Sequence, residues 1–329
     1  MERFTLQELW MECRICRNSF ANQAYRAREM MFGYRDAFDY FECSQCGCVQ
    51  ILEVPADLSK YYPSDYYSFA RFEARTVGFK ERIAKRLAGP YATCGGGMLG
   101  RMIFRYYPEP QLRPLAPVGL SWKSRILDVG CGGGEFLQLL KDAGFKNVLG
   151  IDAYIEGNRQ YANGLRILKR SLQEMSGEWD LIMFHHSFEH LPDPLETLQH
   201  SAAILSKKGC CLIRIPTVSS YAWRHYRACW VQLDAPRHLF LHSVSSMQLL
   251  AGDAGFAIKE VVYDSTEFQF WASEQYLHDI PLHAEQSYAH SPSTSMFLDA
   301  DMKSFQKRAD WLNAHSEGDQ AAFYLVKVA

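Results

Sequence analysis

The sequence predicts an α/β protein with helices on both faces of a doubly wound, mostly parallel, seven-stranded sheet. Two observations support this prediction. From about residue 121 onwards, hydrophobic segments typical of strands alternate with segments typical of helices. The strand at 125–130 leads into a glycine-rich turn, and the strand at 147–152 ends in Asp152. In a doubly wound sheet, such a turn and acid meet in a crevice at the carboxyl ends of the strands, where nucleotides bind.

The remaining elements follow in order, and two long insertions interrupt them. One insertion, at about 217–242, follows the fifth strand, and the other, at about 266–320, separates the last two strands. Loops at the carboxyl ends of strands commonly build active sites, so we expect the insertions to project from the sheet and recognise a substrate. The predicted elements are strand 125–130, helix 134–144, strand 147–152, helix 154–163, strands 166–169 and 179–186, helix 193–206, strand 209–216, helix 243–254 and strands 257–264 and 322–328.

Two cysteine pairs near the start of the chain predict a metal site. Cys13 and Cys16 form one C-x-x-C pair, and Cys43 and Cys46 form another. Four thiolates can hold a tetrahedral structural Zn²⁺, which supplies folding energy to a segment too small for its own core. We therefore predict a zinc-ribbon-like segment over 1–56. Cys48 could replace Cys46 as a ligand, and the alternatives to zinc are buried thiols or a redox pair.

The segment between the cysteine pairs and the sheet is predicted to be a helical linker and lid region over 57–120. It contains a tyrosine-rich stretch at 61–69 and a basic segment at 71–88 with the character of a helix. A looser part follows, with three glycines at 95–97 and several prolines. The sheet domain then occupies 121–329.

Composition narrows the classes of partner. The chain has 329 residues, 48% of them hydrophobic, and a net charge of −2, which is enough for a large core but gives no basic footprint for nucleic acid. No apolar stretch approaches the ~20 residues that span a bilayer, and the N-terminus lacks a signal-peptide core. We therefore expect a cytoplasmic protein with no membrane partner, and the near-neutral charge disfavours a nucleic-acid partner.

The spacing of the glycines indicates which nucleotide is bound. A dinucleotide fingerprint needs G-x-G-x-x-G, but its third glycine position holds Glu135. The spacing is instead G-x-G-x-G, which resembles motif I of the class I S-adenosylmethionine-dependent methyltransferases. A glycine turn of some other α/β enzyme is the alternative. The resemblance implies a Rossmann-like methyltransferase fold, S-adenosylmethionine as cofactor, and these cofactor-binding residues: Asp128, Gly130, Cys131, Gly132, Gly134, Asp152, Ala153, Leu172 and His185. In it, the glycines lie along the methionine part of the cofactor, and Asp152 holds the ribose.

Two further motifs extend the resemblance. A Glu-His-Leu-Pro-Asp-Pro run covers 189–194, and a Pro-Arg-His turn at 236–238 precedes a helix that Ser243 is expected to cap. With the cysteine pairs, these motifs resemble bacterial methyltransferases of polysaccharide, sugar and secondary-metabolite pathways, which carry an N-terminal zinc-binding segment. The resemblance covers most of residues 10–265. Residues 171–173 depart from it, because the family often has an acid there near the adenine.

Methyl transfer to a hydroxyl requires a base. His186 has a suitable intrinsic pKa and a position at the end of the fourth strand, with His185 and His238 as substitutes. Glu189 is expected to brace the following turn by accepting backbone amides. Alternatively, His186, Glu189 and His190 could contribute to a divalent metal site that polarises the acceptor, as in some quinone-pathway O-methyltransferases, where an acid replaces the first histidine.

These observations predict an S-adenosylmethionine-dependent methyltransferase with a small-molecule substrate. The acceptor is expected to be a hydroxyl of a sugar, a glycan precursor or a secondary metabolite. One alternative is an RNA or protein methyltransferase that uses the zinc segment as an adaptor. Another is a protein that binds the cofactor without catalysis.

Overall fold

The computed structural model describes residues 11–63, 79–94 and 98–328. An antiparallel N-terminal sheet is followed by helices and then by the main α/β sheet. The N-terminal elements are β1 (Gln23–Arg28), β2 (Ala37–Glu42), β3 (Val49–Ile51), α1 (Phe79–Cys94) and α2 (Met98–Phe104). The first half of the main sheet contains β4 (Arg125–Val129), α3 (Glu135–Asp142), β5 (Asn147–Ile151), β6 (Arg159–Gln160), β7 (Arg166–Leu168) and β8 (Trp179–His185).

The second half carries the two insertions. Its elements are α4 (Pro194–Ile204), β9 (Leu205–Pro216), α5 (Tyr221–Tyr226), β10 (Phe240–Leu241), α6 (Val244–Asp253), β11 (Phe256–Tyr263), α7 (Phe268–Leu277), α8 (Asp299–Ala314) and β12 (Gln320–Lys327). Helix α6 begins as expected, because the Ser243 side chain accepts a hydrogen bond from the Ser246 amide at 2.9 Å.

The main sheet confirms the predicted α/β class. Its strand order is β11-β12-β9-β8-β4-β5-β7-β6, and the five neighbours from β9 to β7 run parallel. Strand β12 runs antiparallel between β9 and β11. The sheet has eight strands rather than seven, because the two-residue β6 pairs antiparallel with β7 at the edge.

The predicted helix at 154–163 is wrong. That stretch is a series of bends followed by β6. Asn158 accepts a hydrogen bond from the Lys169 amide through its side chain, and Gly164 has a φ of +80°. Asparagine and glycine favour such turns over helix because the asparagine side chain competes for backbone groups and glycine tolerates positive φ. The hairpin that results replaces the helix between β5 and β7.

The N-terminal sheet and both insertions share one hydrophobic core. Strand β10, from the first insertion, pairs with β3, giving a four-stranded sheet of order β1-β2-β3-β10. The cluster of buried side chains contains Tyr40 and Phe41 of β2, Trp230 of the first insertion, and Phe270 and Leu312 of the second. The insertions therefore pack on the N-terminal segment instead of extending into solvent.

One buried ionic network joins these parts of the chain. Arg237 is fully buried and donates hydrogen bonds to Glu29 at 3.0 Å and to both carboxylate oxygens of Asp234 at 2.6 and 2.9 Å. It also donates to the backbone carbonyl of Tyr61 at 3.2 Å. A buried guanidinium is stable only when its donors are satisfied, as they are here by two carboxylates and a carbonyl.

The region between the N-terminal sheet and β4 packs against α3. Phe104, with Leu112 and Leu115 of a short 3₁₀ helix, lies in the same core cluster as Leu137 and Leu140 of α3. Of the expected basic helix, residues 71–78 lie outside the described residues, as do 64–69 of the tyrosine-rich stretch and the glycines at 95–97. Helix α1 extends to Cys94, past the predicted end at 88. None of the described helices has the length and hydropathy needed to cross a bilayer.

Removal of the buried guanidinium should be strongly destabilising. Arg237→Ala leaves Glu29 and Asp234 buried without their cation, and we expect a loss of about 3–5 kcal/mol in the free energy of unfolding. Arg224, whose ion pair with Glu317 is exposed, provides a matched control, and Arg224→Ala should cost at most about 1 kcal/mol. Denaturant unfolding measures both variants. Similar losses for the two would contradict a structural role for the Arg237 network.

Candidate active site

The glycine loop between β4 and α3 requires its glycines. Gly130, Gly132 and Gly134 have φ values of +72°, +52° and +84°, in the left-handed region that favours glycine. A Cβ on Gly130 would lie 2.5 Å from the Cβ of Ser187, and one on Gly134 would lie 2.4 Å from the Cδ1 of Ile167. The loop therefore approaches β7 and the end of β8 more closely than any side chain would allow.

Asp152 braces this loop. Its carboxylate accepts hydrogen bonds from the amide of Gly132 at 2.9 Å and from the amide of Tyr154 at 2.8 Å. The amides of Gly130 and Cys131 both donate to the carbonyl of Ile151, which fixes the loop against the end of β5. The acid after the second strand thus lies beside the loop, as the motif predicts.

The other predicted cofactor-binding residues differ in how deeply they are buried. Asp128 is buried, and one of its carboxylate oxygens has no hydrogen-bond partner in the described structure. Its pKa is raised well above the usual range, mainly by burial and also by the negative charge of the nearby Asp152. Cys131 packs against Gly150, whose added Cβ would lie 2.4 Å from the sulfur. Leu172 lies in the hydrophobic core, whereas Ala153 is exposed.

A chamber of about 700 Å³ opens beside the glycine loop. The sheet contributes Gly130, Asp152 and Ser187 to one end of it. The N-terminal segment and both insertions supply the other walls, which are largely apolar and include Met31, Leu58, Tyr62, Val231, Phe268, Tyr276 and Leu282. Parts of the chain that are distant in sequence therefore enclose one cavity next to the predicted cofactor crevice.

A fully buried carboxylate, Glu189, faces this chamber. The nearest imidazole nitrogens, on His186 and His238, lie 3.6 and 3.9 Å away, beyond hydrogen-bond distance. Neither carboxylate oxygen has a hydrogen-bond partner among the described residues, so the predicted bracing of the turn is wrong. Burial alone would raise the pKa of Glu189, but His186, His190 and His238 lower it to about 2, so the carboxylate is charged.

The hydrogen bonds of His190 and His238 fix their orientation. The Nδ1 of His190 lies 2.8 Å from the carbonyl oxygen of Arg237, and that of His238 lies 2.7 Å from the carbonyl oxygen of Gln232. A carbonyl only accepts, so we assign the proton of each ring to Nδ1. These hydrogen bonds leave the Nε2 atom as the second ring nitrogen of each imidazole.

The guanidinium of Arg214 contacts both His186 and His185. Arg214 lies 2.8 Å from the Nε2 of His186 and 3.3 Å from that of His185. A guanidinium only donates, so the proton of His186 belongs on Nδ1, toward Glu189. His186 lines the chamber, whereas His185 stacks on Phe136 outside the chamber lining, and burial lowers its pKa well below the usual range.

Arg214 is the residue of this site that sequence reasoning missed. It interrupts the hydrophobic strand β9 near its carboxyl end, and it also donates to Asp264 at 2.6 Å. A charged residue in a buried strand, close to the edge where sites form, was the available signal.

The four predicted cysteine ligands converge in the N-terminal segment. Their sulfurs lie within 4.8 Å of one another, with Cys16–Cys43 at 3.4 Å and Cys13–Cys46 at 3.6 Å. A tetrahedron with zinc–sulfur bonds of about 2.3 Å has edges of about 3.8 Å, so the arrangement fits a zinc ion with small adjustments. The sulfur cluster contains Cys46, and Cys48 lies outside it.

The fold and the glycine loop define a nucleotide-binding α/β protein, and comparisons with known proteins specify its class. Residues 101–261 match the family model of a methyltransferase domain. A ubiquinone biosynthesis O-methyltransferase of Psychrobacter arcticus is 26% identical over 51% of this chain and 73% of the relative. One from Bordetella avium is 29% identical over 31% of this chain and 52% of the relative. Among solved structures, an S-adenosylmethionine-dependent methyltransferase from Archaeoglobus fulgidus is similar at 17% identity and a TM-score of 0.42, over 70% of this chain and 100% of that one.

Residues 101–261 therefore form a methyltransferase domain, and the chain is an S-adenosylmethionine-dependent methyltransferase. The resemblance drawn from motif I is thereby confirmed at the level of the enzyme class and its cofactor.

Proposed function

We propose that this enzyme transfers a methyl group to a hydroxyl of an enclosed small molecule. The observation that carries the proposal is the chamber, which extends from Gly130 and Asp152 to the buried cluster of Glu189 and its imidazoles. A cofactor on the glycine loop and an acceptor beside this cluster would therefore share one cavity.

Two observations favour a small molecule over RNA or protein. The N-terminal segment does not form a separate adaptor, because β3 pairs with β10 and residues such as Met31 and Tyr62 line the chamber. The curated relatives are named as O-methyltransferases of a biosynthetic pathway, and O-methylation of a metabolite is consistent with such a cavity. Within this class we retain a sugar, glycan precursor or secondary metabolite as the proposed acceptor.

His186 is our proposed general base. S-adenosylmethionine supplies an electrophilic methyl group, so the chain has to align the acceptor and remove its proton. The Nδ1 of His186 faces the charged carboxylate of Glu189, which can stabilise the imidazolium formed when Nε2 takes a proton. Because Arg214 donates to that Nε2, the acceptor hydroxyl must take the place of the guanidinium. His238 is the substitute base, and His185 is the weaker one because of its position behind His186.

The function is tested by supplying labelled S-adenosylmethionine to the purified full chain. Separate pools of metabolites, total RNA and cell protein serve as acceptors. We expect label in the metabolite pool alone. Label confined to RNA or protein would overturn the small-molecule proposal, and cofactor binding without transfer to any pool would indicate a non-catalytic protein.

Asp152 is proposed to hold the ribose hydroxyls in addition to bracing the loop. Asp152→Ala should remove charge-assisted hydrogen bonds worth ~1.5–3 kcal/mol, which weakens S-adenosylhomocysteine binding roughly tenfold to a hundredfold. Calorimetry provides the measurement, with Glu156→Ala, an exposed acid in the same loop, as the control. An unchanged affinity in a folded Asp152→Ala protein would place the nucleotide elsewhere.

His186→Ala should lower turnover by ~10²–10⁴-fold, because the acceptor proton then has no base. S-adenosylhomocysteine affinity should stay nearly constant, since the imidazole is not assigned a contact with the cofactor. Steady-state rates are compared with those of His200→Ala, which alters an imidazole on α4 that contacts the Met175 carbonyl. A His186→Ala protein of lower thermal stability with an undiminished rate per folded molecule would make His186 a packing residue.

We further propose that Cys13, Cys16, Cys43 and Cys46 bind one structural zinc ion. Metal analysis should find about one zinc per chain, and Cys43→Ser should lose it, whereas Cys229→Ser should retain it. Removal of zinc should abolish turnover, because the segment forms a wall of the chamber, but should largely spare S-adenosylhomocysteine binding at the glycine loop. Full zinc occupancy in Cys43→Ser would contradict this ligand set.

A further inference from the structure

We propose that Asp264 is a positioning residue for methyl transfer, which acts on His186 through Arg214. The inference rests on the proposed function, in which His186 is the general base. Asp264 follows β11, Arg214 lies near the carboxyl end of β9, and His186 follows β8. Three strands therefore bring these side chains together at one edge of the sheet.

Arg214 contacts His186 twice. The carbonyl of Arg214 accepts a hydrogen bond from the amide of His186 at 2.9 Å, and the guanidinium Nη1 donates to the imidazole Nε2 at 2.8 Å. His186 has a φ of +53°, in a region that residues other than glycine rarely adopt, so its backbone is strained. The main chain and the side chain of Arg214 together hold this strained residue in one orientation.

The guanidinium determines the tautomer of His186. A guanidinium only donates, so Nε2 of the imidazole must carry a lone pair and Nδ1 the proton. The carboxylate of Glu189 lies 3.6 Å from Nδ1, which is too far for a hydrogen bond that would fix the tautomer by itself. A general base must present a lone pair at the nitrogen that receives the proton. Arg214 therefore keeps Nε2 in the form that the proposed reaction needs.

Asp264 determines where the guanidinium lies. Its Oδ2 accepts from the Nε of Arg214 at 2.6 Å, and its Oδ1 accepts from the side-chain amide of Gln320 at 2.8 Å. The ion pair is partly shielded from water, because the side chain of Arg214 is 17% exposed and that of Asp264 is 27% exposed. A hydrogen bond between two charged groups is stronger than one from a charged donor to a neutral imidazole. Arg214 is therefore anchored mainly by Asp264.

This anchor affects the arrival of an acceptor. The acceptor hydroxyl has to displace the guanidinium from Nε2 of His186, and a poorly solvated cation without another partner would resist displacement. Asp264 remains as the partner, so the guanidinium can turn away from the imidazole and keep its countercharge. The acceptor O–H bond then breaks as its proton moves to Nε2, while the oxygen forms a bond to the methyl group that leaves the sulfonium sulfur.

Asp264 and Gln320 also flank the second insertion. Strand β11 ends one residue before Asp264, and Gln320 begins β12. Their main chains are joined as well, because the Asp264 amide donates to the Gln320 carbonyl at 3.2 Å. The insertion between them supplies Phe268, Tyr276 and Leu282 to the chamber wall. The residues at the base of this wall therefore also hold the proposed base.

The inference is tested on the full chain by NMR of its ¹⁵N-labelled histidine side chains, with S-adenosylhomocysteine bound. The signals of His186 are assigned by their loss in His186→Gln. We expect one tautomer in the unmodified chain, with the proton on Nδ1. Asp264→Ala should give a mixture of both tautomers, because the guanidinium no longer has a fixed position. Arg214→Met should give the same mixture, and Asp264→Ala in that background should change nothing further.

Glu317→Ala is the matched control, because Glu317 lies in the second insertion and pairs with Arg224 at 2.7 Å, away from His186. It should leave the His186 signals unchanged. S-adenosylhomocysteine calorimetry reports whether each variant is folded. If Asp264→Ala fails to fold, Asp264→Asn decides the question, because it keeps the side-chain volume and removes the charge. It should move His186 toward the mixture by a smaller amount.

Asp264→Ala should also lower turnover with the metabolite pool by ~10²-fold, because the base is no longer held in place. The inference is overturned if a folded Asp264→Ala protein keeps a single His186 tautomer, or if Glu317→Ala changes the tautomer as much. The NMR readout involves no methyl transfer. A tautomer that depends on Asp264 in a protein that methylates nothing would therefore refute the proposed function and support the positioning of His186.

Discussion

The buried Arg237 guanidinium is the interaction on which the chamber depends. It binds Glu29 of the N-terminal segment and Asp234 of the first insertion, and its backbone carbonyl orients the imidazole of His190. The side chain thus joins two distant parts of the chain, while the main chain of the same residue sets the geometry of the site. Stability and site geometry are coupled here, because a shift of Arg237 would disturb both.

The walls of the chamber come from segments that cannot form it alone. The sheet supplies the glycine loop and Asp152, but the apolar walls and His238 belong to the N-terminal segment and the insertions. The glycine loop is held by local hydrogen bonds to Ile151 and Asp152, so the proposed cofactor end of the chamber is largely independent of the other walls. The glycine loop thus belongs to the sheet, whereas the other walls belong to the insertions and the N-terminal segment. Such a separation suits an enzyme class in which the cofactor site is kept and the acceptor site varies through loops.

Sequence reasoning predicted the parts of the structure that depend on local patterns. The α/β alternation, the glycine loop and the convergence of the cysteine pairs follow from spacing within short segments. The helix expected at 154–163 was wrong because asparagine and glycine turns outweighed its helical pattern. The approach of His238 to Glu189, and the pairing of β10 with β3, depend on contacts between residues far apart in sequence, which a single sequence does not encode in any local pattern.

The pairing of β3 with β10 also constrains how such a protein can change over evolutionary time. An N-terminal segment built around a cluster of cysteines could in principle be gained, lost or exchanged between relatives as a module. In this chain the last strand of that segment's sheet comes from an insertion in the catalytic domain. Exchange of the segment alone would leave β10 without its partner, so the segment and the insertion have to be inherited together.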